Sequence, residues 1–528
     1  MATRRISLLH HAPALVLLLI VVANSGQWAD PDLWGHLRYG QAALASGHAI
    51  ANDPYSYSAP GSVWRDHEWL TEIVMAVAYN NFGVVGLKLW KFACVAATVV
   101  LTALAMAETG ASATIQLNLL GVAALAMVLQ NQFRPQLFSF MLLAATLALL
   151  ARDNYRGRAP VWLMIPMMAL WSNLHGGFIV AIAALGAYIG VVGLQDLIAG
   201  IGFARALRLG LITLAGTMAT LISPYGFGAW RVVIHALKNN AAHPIISDWQ
   251  PLMRTTIAQW QADPPTVIFF VCGIAIMAAF VITFACTPRD GDLPLVAIAA
   301  IMTVGAIAAV RNMPLAAIAC MAPTARHFEL IATRWRRRNI TSPSIKEGAA
   351  AAPRVDQSSM AQSGLRPWLG ITVAIVLAAV TGMFSPWLAV DVREYPIGAV
   401  AFMKQHHIYG NVLGNFVWGQ YLIWHLEPDS KVFMDGRYDT VYPQPIIDQY
   451  LEFVSGQPAG FKVLRAYPHD LILMPLKTPV VSMMESAPGW KLVYRDGNCE
   501  LFARADSAAA KLSDGPIVGV LPRKSIFP

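Results

Sequence analysis

The sequence predicts a polytopic α-helical membrane protein with about eleven transmembrane helices and a small C-terminal α/β domain outside the membrane. Hydrophobic residues make up 56% of the 528 positions and charged residues only 13%, so a soluble globule would lack the polar surface that it needs. Apolar runs of bilayer length recur along the chain. Basic residues lie mainly in short loops between these runs, a pattern that indicates membrane topology and argues against nucleic acid as a partner.

The predicted transmembrane segments are apolar runs of roughly 20 residues, the length that a helix needs to cross a bilayer. The first run has a cleaved signal peptide as its alternative, because the small or polar residues Ala23, Asn24 and Ser25 end it. In chain order the predicted spans are 6–24, 85–107, 113–129, 136–151, 160–172, 177–198, 206–222, 265–286, 293–309, 313–331 and 368–387.

The placement of the arginines predicts the orientation of these spans. With a cytoplasmic N-terminus, the short outer loops carry only Arg134 and Arg311, as the preference of basic residues for the cytoplasmic side requires. An odd number of spans then leaves the C-terminus outside. The arginines predicted to lie inside are Arg4, Arg5, Arg152, Arg156, Arg158, Arg205, Arg208, Arg289, Arg334, Arg336, Arg337 and Arg338.

Changes in composition predict the division into parts. Residues 1–334 form the predicted membrane core, whose large first outer loop covers 25–69. Residues 335–367 are rich in Ala, Ser and Pro and lack hydrophobic periodicity, which predicts a disordered cytoplasmic linker. After the last span, at 368–389, residues 390–528 alternate helical patterns with short apolar runs, as in a small α/β domain.

The first outer loop concentrates ionisable residues. Asp30 and Asp32 stand two residues apart at the entrance of a predicted helix, where paired carboxylates could deprotonate a hydroxyl or bind a divalent cation. The alternative is helix capping by one of the two, which leaves the other carboxylate unexplained. The remaining candidates of this loop, predicted to contact a substrate, are His36, Asp66, His67 and Glu68.

Three short outer turns carry polar side chains at membrane depth, where ionisable groups are costly unless they face a polar cavity or a partner. Arg134 follows the third predicted span and Arg311 follows the ninth, while Asn173 and His175 lie between the fifth and the sixth. Asn173 is predicted to contact a substrate. Because guanidinium groups match phosphate oxygens bidentately, Arg134 and Arg311 are predicted to bind a phosphate with help from His175. Any one of these turns has an ordinary interfacial turn as its alternative.

One candidate pair lies in the predicted α/β domain. Asp435 and Arg437 follow a strand-like run, and the ends of strands are common places for ligands, so both are predicted to face a substrate. An Asp-Gly turn with an internal ion pair between the two explains the same residues and is the favoured alternative.

Several motifs together resemble the GT-C superfamily of integral-membrane glycosyltransferases, and more narrowly a group of GT-C-like bacterial membrane proteins. The resemblance rests on the order of the parts, with an acidic motif on the first outer loop and a C-terminal outer domain, and extends over most of the chain. The motifs are DPDLWGHL at 30–37, DPYSY at 53–57, EWL at 68–70, WSNLHGG at 171–177 and VFMDGR at 432–437.

The resemblance implies transfer of a sugar from a polyprenyl-phosphate-linked donor to an extracytoplasmic acceptor, with inversion at the sugar carbon, in a bacterial inner membrane. Asp30 or Asp32 would then be the general base, and Arg134, Arg311 and His175 would stabilise the departing lipid phosphate. Many members carry adjacent acids where this chain has Asp30-Pro31-Asp32, so the choice of base and the need for a divalent cation, Mg or Mn, stay open. Membrane lipids, the donor and the acceptor are the implied partners.

Two other functions are compatible with the sequence. A transporter or flippase would carry ionisable residues near mid-membrane and broken helices, whereas the charges here stand at the ends of the apolar runs. A non-catalytic factor in the assembly of envelope glycans would use the outer domain to bind a partner. The five cysteines show neither a disulfide framework nor metal-ligand spacing, so redox chemistry is not expected.

Overall fold

The structure, a computed structural model, describes residues 28–238, 247–254, 264–287, 292–340, 385–512, 514–522 and 524–527. The predicted first span, the last span and most of the predicted linker lie outside these residues. Numbered in chain order, the helices before residue 341 are α1 (Leu33–Ser46), α2 (Trp69–Glu108), α3 (Ala113–Leu125), α4 (Gln136–Arg156), α5 (Met164–Leu174), α6 (Phe178–Ala199), α7 (Ala204–Ala219), α8 (Phe227–Lys238), α9 (Pro264–Cys286), α10 (Leu293–Ala308) and α11 (Met313–Ile340).

The apolar helices are those of a membrane protein. Within the described residues, four helices are long and apolar enough to cross a membrane, namely α2, α4, α6 and the part of α9 from Thr266 to Cys286. The predicted spans that fall within the described residues all overlap helices, although several of their bounds differ by a few residues. Large aliphatic side chains cover the outer faces of these helices. Their exposure to water would be unfavourable, whereas contact with lipid is not. Examples of such exposed side chains are Ile198, Leu207, Leu211, Ile282 and Val304.

Two boundaries differ from the prediction. Helix α2 begins at Trp69, well before the predicted span at 85–107, and breaks at Gly83, whose φ of 58° is accessible to glycine. Polar residues between Trp69 and Gly83 interrupt the apolar pattern, so the first half of α2 does not show as an apolar run of bilayer length. Helix α11 continues to Ile340, past the predicted boundary at 334, because the arginines of its last turns are good helix formers and stabilise a helix C-terminus.

Helix α1 packs closely on the first half of α2. A Cβ added at Gly40 would lie 2.1 Å from the backbone oxygen of Glu72, so only glycine permits this approach. The close crossing places His36 of α1 beside Glu72, with 2.9 Å between Nδ1 and Oε1.

Residues 385–527, which we call the C-terminal unit, contain a six-stranded mixed sheet in the order β3-β2-β4-β6-β5-β7. Strand β2 runs parallel to β3 and β4, while β6 is antiparallel to β4 and β5. Strands β1 and β8 form a separate antiparallel pair. The strands are β1 (Ala389–Val390), β2 (Asn411–Gly414), β3 (Lys431–Val432), β4 (Leu471–Pro475), β5 (Trp490–Arg495), β6 (Cys499–Arg504), β7 (Ile517–Val518) and β8 (Ser525–Ile526). The helices are α12 (Ile397–Gln405), α13 (Gly419–Leu426), α14 (Gln444–Val454), α15 (Val463–Ala466) and α16 (Val480–Met484).

The C-terminal unit is joined to the first loop by backbone pairing and by an aromatic cluster. Isolated bridges pair Trp28 with Ala389 and Ser56 with Val432. The buried ring of Trp34 on α1 lies 4.6 Å from the ring of Tyr395 and 5.3 Å from those of Tyr421 and Phe527. Burial of such large rings contributes several kcal/mol, so α1 and the C-terminal unit form one packed body.

Candidate functional site

A polar cavity of about 220 Å³ lies between α1, the start of α2, two turns of the helical core and the C-terminal unit. Parts of the chain that are far apart in sequence therefore meet at one end of the molecule. The predicted site residues that line it are Asp32, His36, Asp66, His67, Glu68, Arg134, His175, Arg311 and Arg437. Three other predicted site residues, Asp30, Asn173 and Asp435, stand behind this lining.

A second cavity of about 340 Å³ adjoins the first and is mainly apolar. The two cavities share several lining residues, among them His67, Gln136, His175, Trp249 and Arg311. The apolar part of its lining comes from α4, α6, α8 and α11, with Phe140, Ile179, Val180, Val232, Val233, Leu237 and Leu315. Arg311 and His175 therefore stand where an acid-bearing chamber meets a hydrophobic one.

The two aspartates of the first loop have different surroundings. Asp30 accepts hydrogen bonds from the backbone N–H groups of Asp32 and Phe133 and from Nε of Arg134, and only 4% of its side chain is exposed. Asp32 begins α1 without capping it, and 28% of its side chain is exposed to the cavity. Asp30 thus has the turn-forming role that was the alternative for one of the pair, while Asp32 presents a carboxylate to the cavity.

Arg134 is held among carboxylates. Its Nε lies 3.0 Å from Asp30 and its Nη2 2.9 Å from Asp32, while Nη1 is 3.9 Å from Asp248. Although burial lowers the pKa of Arg134, the carboxylates of Asp32, Asp30 and Asp248 together raise it above its usual value. The sequence predicted that Arg134 binds a phosphate, whereas in the structure its donors orient the two first-loop acids.

Arg311 has no such partner. Its guanidinium stacks 4.2 Å from the ring centre of Trp249, and no carboxylate of the described residues lies within 4.0 Å of it. Burial lowers the pKa of Arg311, and the neighbouring Arg134 adds to this effect, while the more distant carboxylate of Asp248 opposes it. A buried guanidinium without an ion pair is a receptor for an anion, and phosphate matches its fork of donors.

His175 is fixed in orientation and tautomer by the turn around it. Its Nδ1 accepts a hydrogen bond from the N–H of Gly177 at 3.0 Å and lies 2.7 Å from Oγ of Ser139, which in turn accepts from Nε1 of Trp171. The ring proton therefore lies on Nε2, 3.4 Å from Glu68. A Cβ at position 177 would lie 2.3 Å from Ser139 Oγ, so this turn requires its glycine. Burial lowers the pKa of His175 well below its usual value, so this histidine is neutral.

His36, Glu68 and Glu72 form a group that could hold a metal ion, since one ligand atom from each lies within 4.8 Å of the others. Nδ1 of His36 is 2.9 Å from Glu72 and 4.0 Å from Glu68. Burial raises the pKa of Glu68, His36 opposes this effect and the carboxylates of Asp66 and Asp32 add to it, so that the pKa is about 7. The paired carboxylates of Asp30 and Asp32 suggested a divalent cation between them. In the structure the guanidinium of Arg134 occupies that space.

Two predicted substrate contacts are corrected. Asp435 is fully buried and bonds Arg437 through both of its oxygens, at 2.9 Å and 2.6 Å, which is the internal ion pair that the sequence left as the favoured alternative. Arg437 also lies 2.8 Å from Asp53 and exposes one edge to the cavity. Asn173 accepts from the indole of Trp69 and donates to the backbone oxygens of Ala169 and Ile222, so it holds the helices together.

Several cavity residues were not found from the sequence. Glu72 lies one helical turn after Glu68, and a helix predicted from Trp69 would have placed both on one face. Gln420 is the second residue of α13, and nothing in the surrounding sequence distinguishes it from a surface amide. Its contact with the cavity arises only when the C-terminal unit packs on α1.

No family model and no curated protein matches the chain. Among solved structures, the chain is similar to ArnT from Cupriavidus metallidurans bound to undecaprenyl phosphate, with 14% identity, 96% of this chain and 99% of that one covered, and a TM-score of 0.45. For the same protein in the apo state, the identity is 14%, the match covers 94% of this chain and 97% of that one, and the TM-score is 0.46. For the mycobacterial arabinofuranosyltransferase AftD, identity is 15% and the TM-score 0.47; the match covers 96% of this chain but only 42% of AftD.

Proposed function

We propose that this chain is a membrane glycosyltransferase that moves a sugar from a polyprenyl-phosphate-linked donor to an extracytoplasmic hydroxyl acceptor. The observation that carries the proposal is the junction of the two cavities at Arg311. A lipid-linked sugar phosphate has an apolar chain, a phosphate and a polar sugar in that order. The apolar cavity, the guanidinium of Arg311 and the acid-bearing cavity follow one another in the same order.

Arg311 would bind the phosphate of the donor. It is half-buried, stacked on Trp249 and lacks a carboxylate within 4.0 Å among the described residues, so it can pair with an anion without first breaking an ion pair. As the bond between the sugar and the phosphate breaks, negative charge grows on the leaving oxygen, and a fixed cation there stabilises the transition state. His175, neutral and positioned nearby, would donate a hydrogen bond through Nε2.

Asp32 is the proposed base, and Asp30 positions it through Arg134. The acceptor hydroxyl gives its proton to the Asp32 carboxylate while its oxygen forms the new bond to the sugar carbon. The bond from that carbon to the phosphate oxygen breaks on the opposite face, so the configuration inverts. The exposure of Asp32 to the cavity and the full set of hydrogen bonds on Asp30 support this division of roles.

A divalent cation, if the reaction uses one, fits His36, Glu68 and Glu72 better than the first-loop aspartates. Two carboxylates and an imidazole suit Mn better than Mg, which prefers oxygen ligands alone. Bound there, the cation would supply positive charge for substrate oxygens. The proposed setting is a bacterial inner membrane, with the N-terminus cytoplasmic and the cavity and C-terminal unit on the periplasmic side.

The test uses purified full-length protein and a radiolabelled polyprenyl-phosphate sugar. We expect Asp32→Asn to lower transfer about a hundredfold or more, the scale of general-base catalysis. We expect Arg311→Ala to weaken binding of undecaprenyl phosphate about tenfold, since charge-assisted hydrogen bonds are lost. Asp429→Asn, a change at an exposed carboxylate, is the control and should leave both measurements unchanged. Full transfer by folded Asp32→Asn protein would refute the proposal.

A further inference from the structure

Gln420 brings the C-terminal unit into the polar cavity. It lies on α13, is 4% exposed, and lines the cavity together with Asp32. Among the described residues its Oε1 has no hydrogen-bond partner. A Cβ built at Gly35 would stand 2.5 Å from that oxygen, so the amide is pressed between α13 and α1. That oxygen faces α1 at Gly35, so the amide turns its Nε2 donor towards Gly436 and the cavity.

Gly436 lies between Gln420 and Asp32, and all three residues line the space of the polar cavity there. A Cβ at position 436 would lie 3.0 Å from Oδ1 of Asp32 and 3.0 Å from Nε2 of Gln420. Its φ is not in the left-handed region, so glycine is needed here for room and not for backbone conformation. The space therefore has a carboxylate oxygen on one side and an amide N–H group on the other.

This pair of groups selects a neutral hydroxyl. A hydroxyl can donate its proton to the carboxylate while its oxygen accepts from the amide N–H. An anionic group would be repelled by Asp32, and an ammonium group would find no acceptor at the amide nitrogen. Sugars and other polyols present hydroxyls of this kind.

We propose that Gln420 is a specificity-determining residue that holds the acceptor hydroxyl against Asp32, with Gly436 providing the space. The C-terminal unit thus supplies the acceptor side of the cavity, and Arg311 the donor side. The inference rests on the proposed glycosyl transfer. It adds an acceptor-binding residue that lies outside the first-loop motifs.

The experiment measures the two sides separately in the full-length protein. Methyl β-D-glucopyranoside and methyl α-D-mannopyranoside probe the hydroxyl side by saturation-transfer NMR, and undecaprenyl phosphate probes the donor side by thermal shift. Gln420→Glu keeps the size but replaces the N–H donor, and Gln420→Ala removes the whole group. Gly436→Ala fills the space and leaves Gln420 in place. Gln449→Ala, at a half-buried amide bonded to Tyr467 away from the cavity, is the matched control.

We expect all three cavity variants to weaken glycoside binding about tenfold, the value of a lost hydrogen bond in a buried site, with undecaprenyl phosphate binding unchanged. In transfer assays the same variants should raise the KM for the acceptor more than they lower kcat. Unchanged glycoside binding in Gln420→Glu and Gln420→Ala, or none in the wild type, would overturn the inference. Unchanged undecaprenyl phosphate binding in Arg311→Ala together with full transfer in Asp32→Asn would instead overturn the proposed function.

Discussion

At the scale of single residues, the cavity separates two carboxylates that look equivalent in the sequence. Asp30 receives three N–H donors in a buried place, and Asp32 keeps part of its surface in the cavity. Both pair with the same guanidinium, so the charge of Arg134 is shared between a buried acid and one that faces the cavity. Substitution of Asp30 should change the stability of the protein, and substitution of Asp32 should change the rate of transfer.

We predict that Asp30→Asn lowers the stability of the protein by about 3 kcal/mol, since Arg134 then loses one of its buried charge partners. Thermal unfolding of the purified protein measures this loss. The folded fraction should keep more transfer activity than Asp32→Asn, because Asp30 does not touch the cavity. An Asp30→Asn protein that melts like the wild type and is equally active would contradict the assignment.

The group of His36, Glu68 and Glu72 gives a second prediction at this scale. A cation that binds the folded state alone raises the unfolding temperature, so Mn should stabilise the wild type and Mg should do so less. Glu72→Gln should abolish the Mn effect, whereas Glu485→Gln, at an exposed glutamate, should retain it. An equal response to Mn in both variants would place the ion elsewhere.

At the scale of elements, the approach of α1 to α2 builds the acidic side of the cavity. We predict that Gly40→Ala destabilises the protein by about 1–3 kcal/mol, because the new Cβ would meet the backbone oxygen of Glu72. Gly121→Ala on α3 is the control: nothing lies within 4 Å of the added carbon, so it should be neutral or stabilising. A Gly40→Ala protein with wild-type unfolding temperature would show that the two helices can separate without cost.

Many of the helices and the polar turns between them could be predicted from the sequence. Apolar runs of bilayer length specify helices directly, and polar turns between them, such as those holding His175 and Arg311, stand out against that background. Glu72 was missed because it lies near the start of α2, where polar residues leave only an apolar run too short to cross a bilayer. Gln420 could not be found because its environment depends on packing between distant segments, which local patterns do not encode.

At the scale of the whole molecule, one buried ion cluster fastens the C-terminal unit to the first loop. Arg437 bonds Asp435 on its own unit and Asp53 across the interface, and it stacks on the rings of Tyr39 and Trp64. The sequence indicated the pair of Asp435 and Arg437, but not Asp53, since the third partner comes from the other end of the chain.

We predict that Asp53→Asn loosens the C-terminal unit, because it leaves Arg437 buried with half of its countercharge. In hydrogen exchange followed by mass spectrometry, peptides from 51–64 and 431–442 should exchange faster than in the wild type. Asp429→Asn, at an exposed aspartate outside the interface, should leave these rates unchanged. Wild-type exchange in Asp53→Asn would show that the aromatic cluster around Trp34 holds the unit alone.

The contact between the first loop and the C-terminal unit also determines when the cavity can form during synthesis of the chain. A ribosome releases Asp32 early and Gly436 late, so the space between them forms only when the C-terminal unit has been made and has folded. Until then a nascent or truncated chain holds its first-loop acids without the wall that faces them. Synthesis of the C-terminal unit is therefore a condition for a complete cavity.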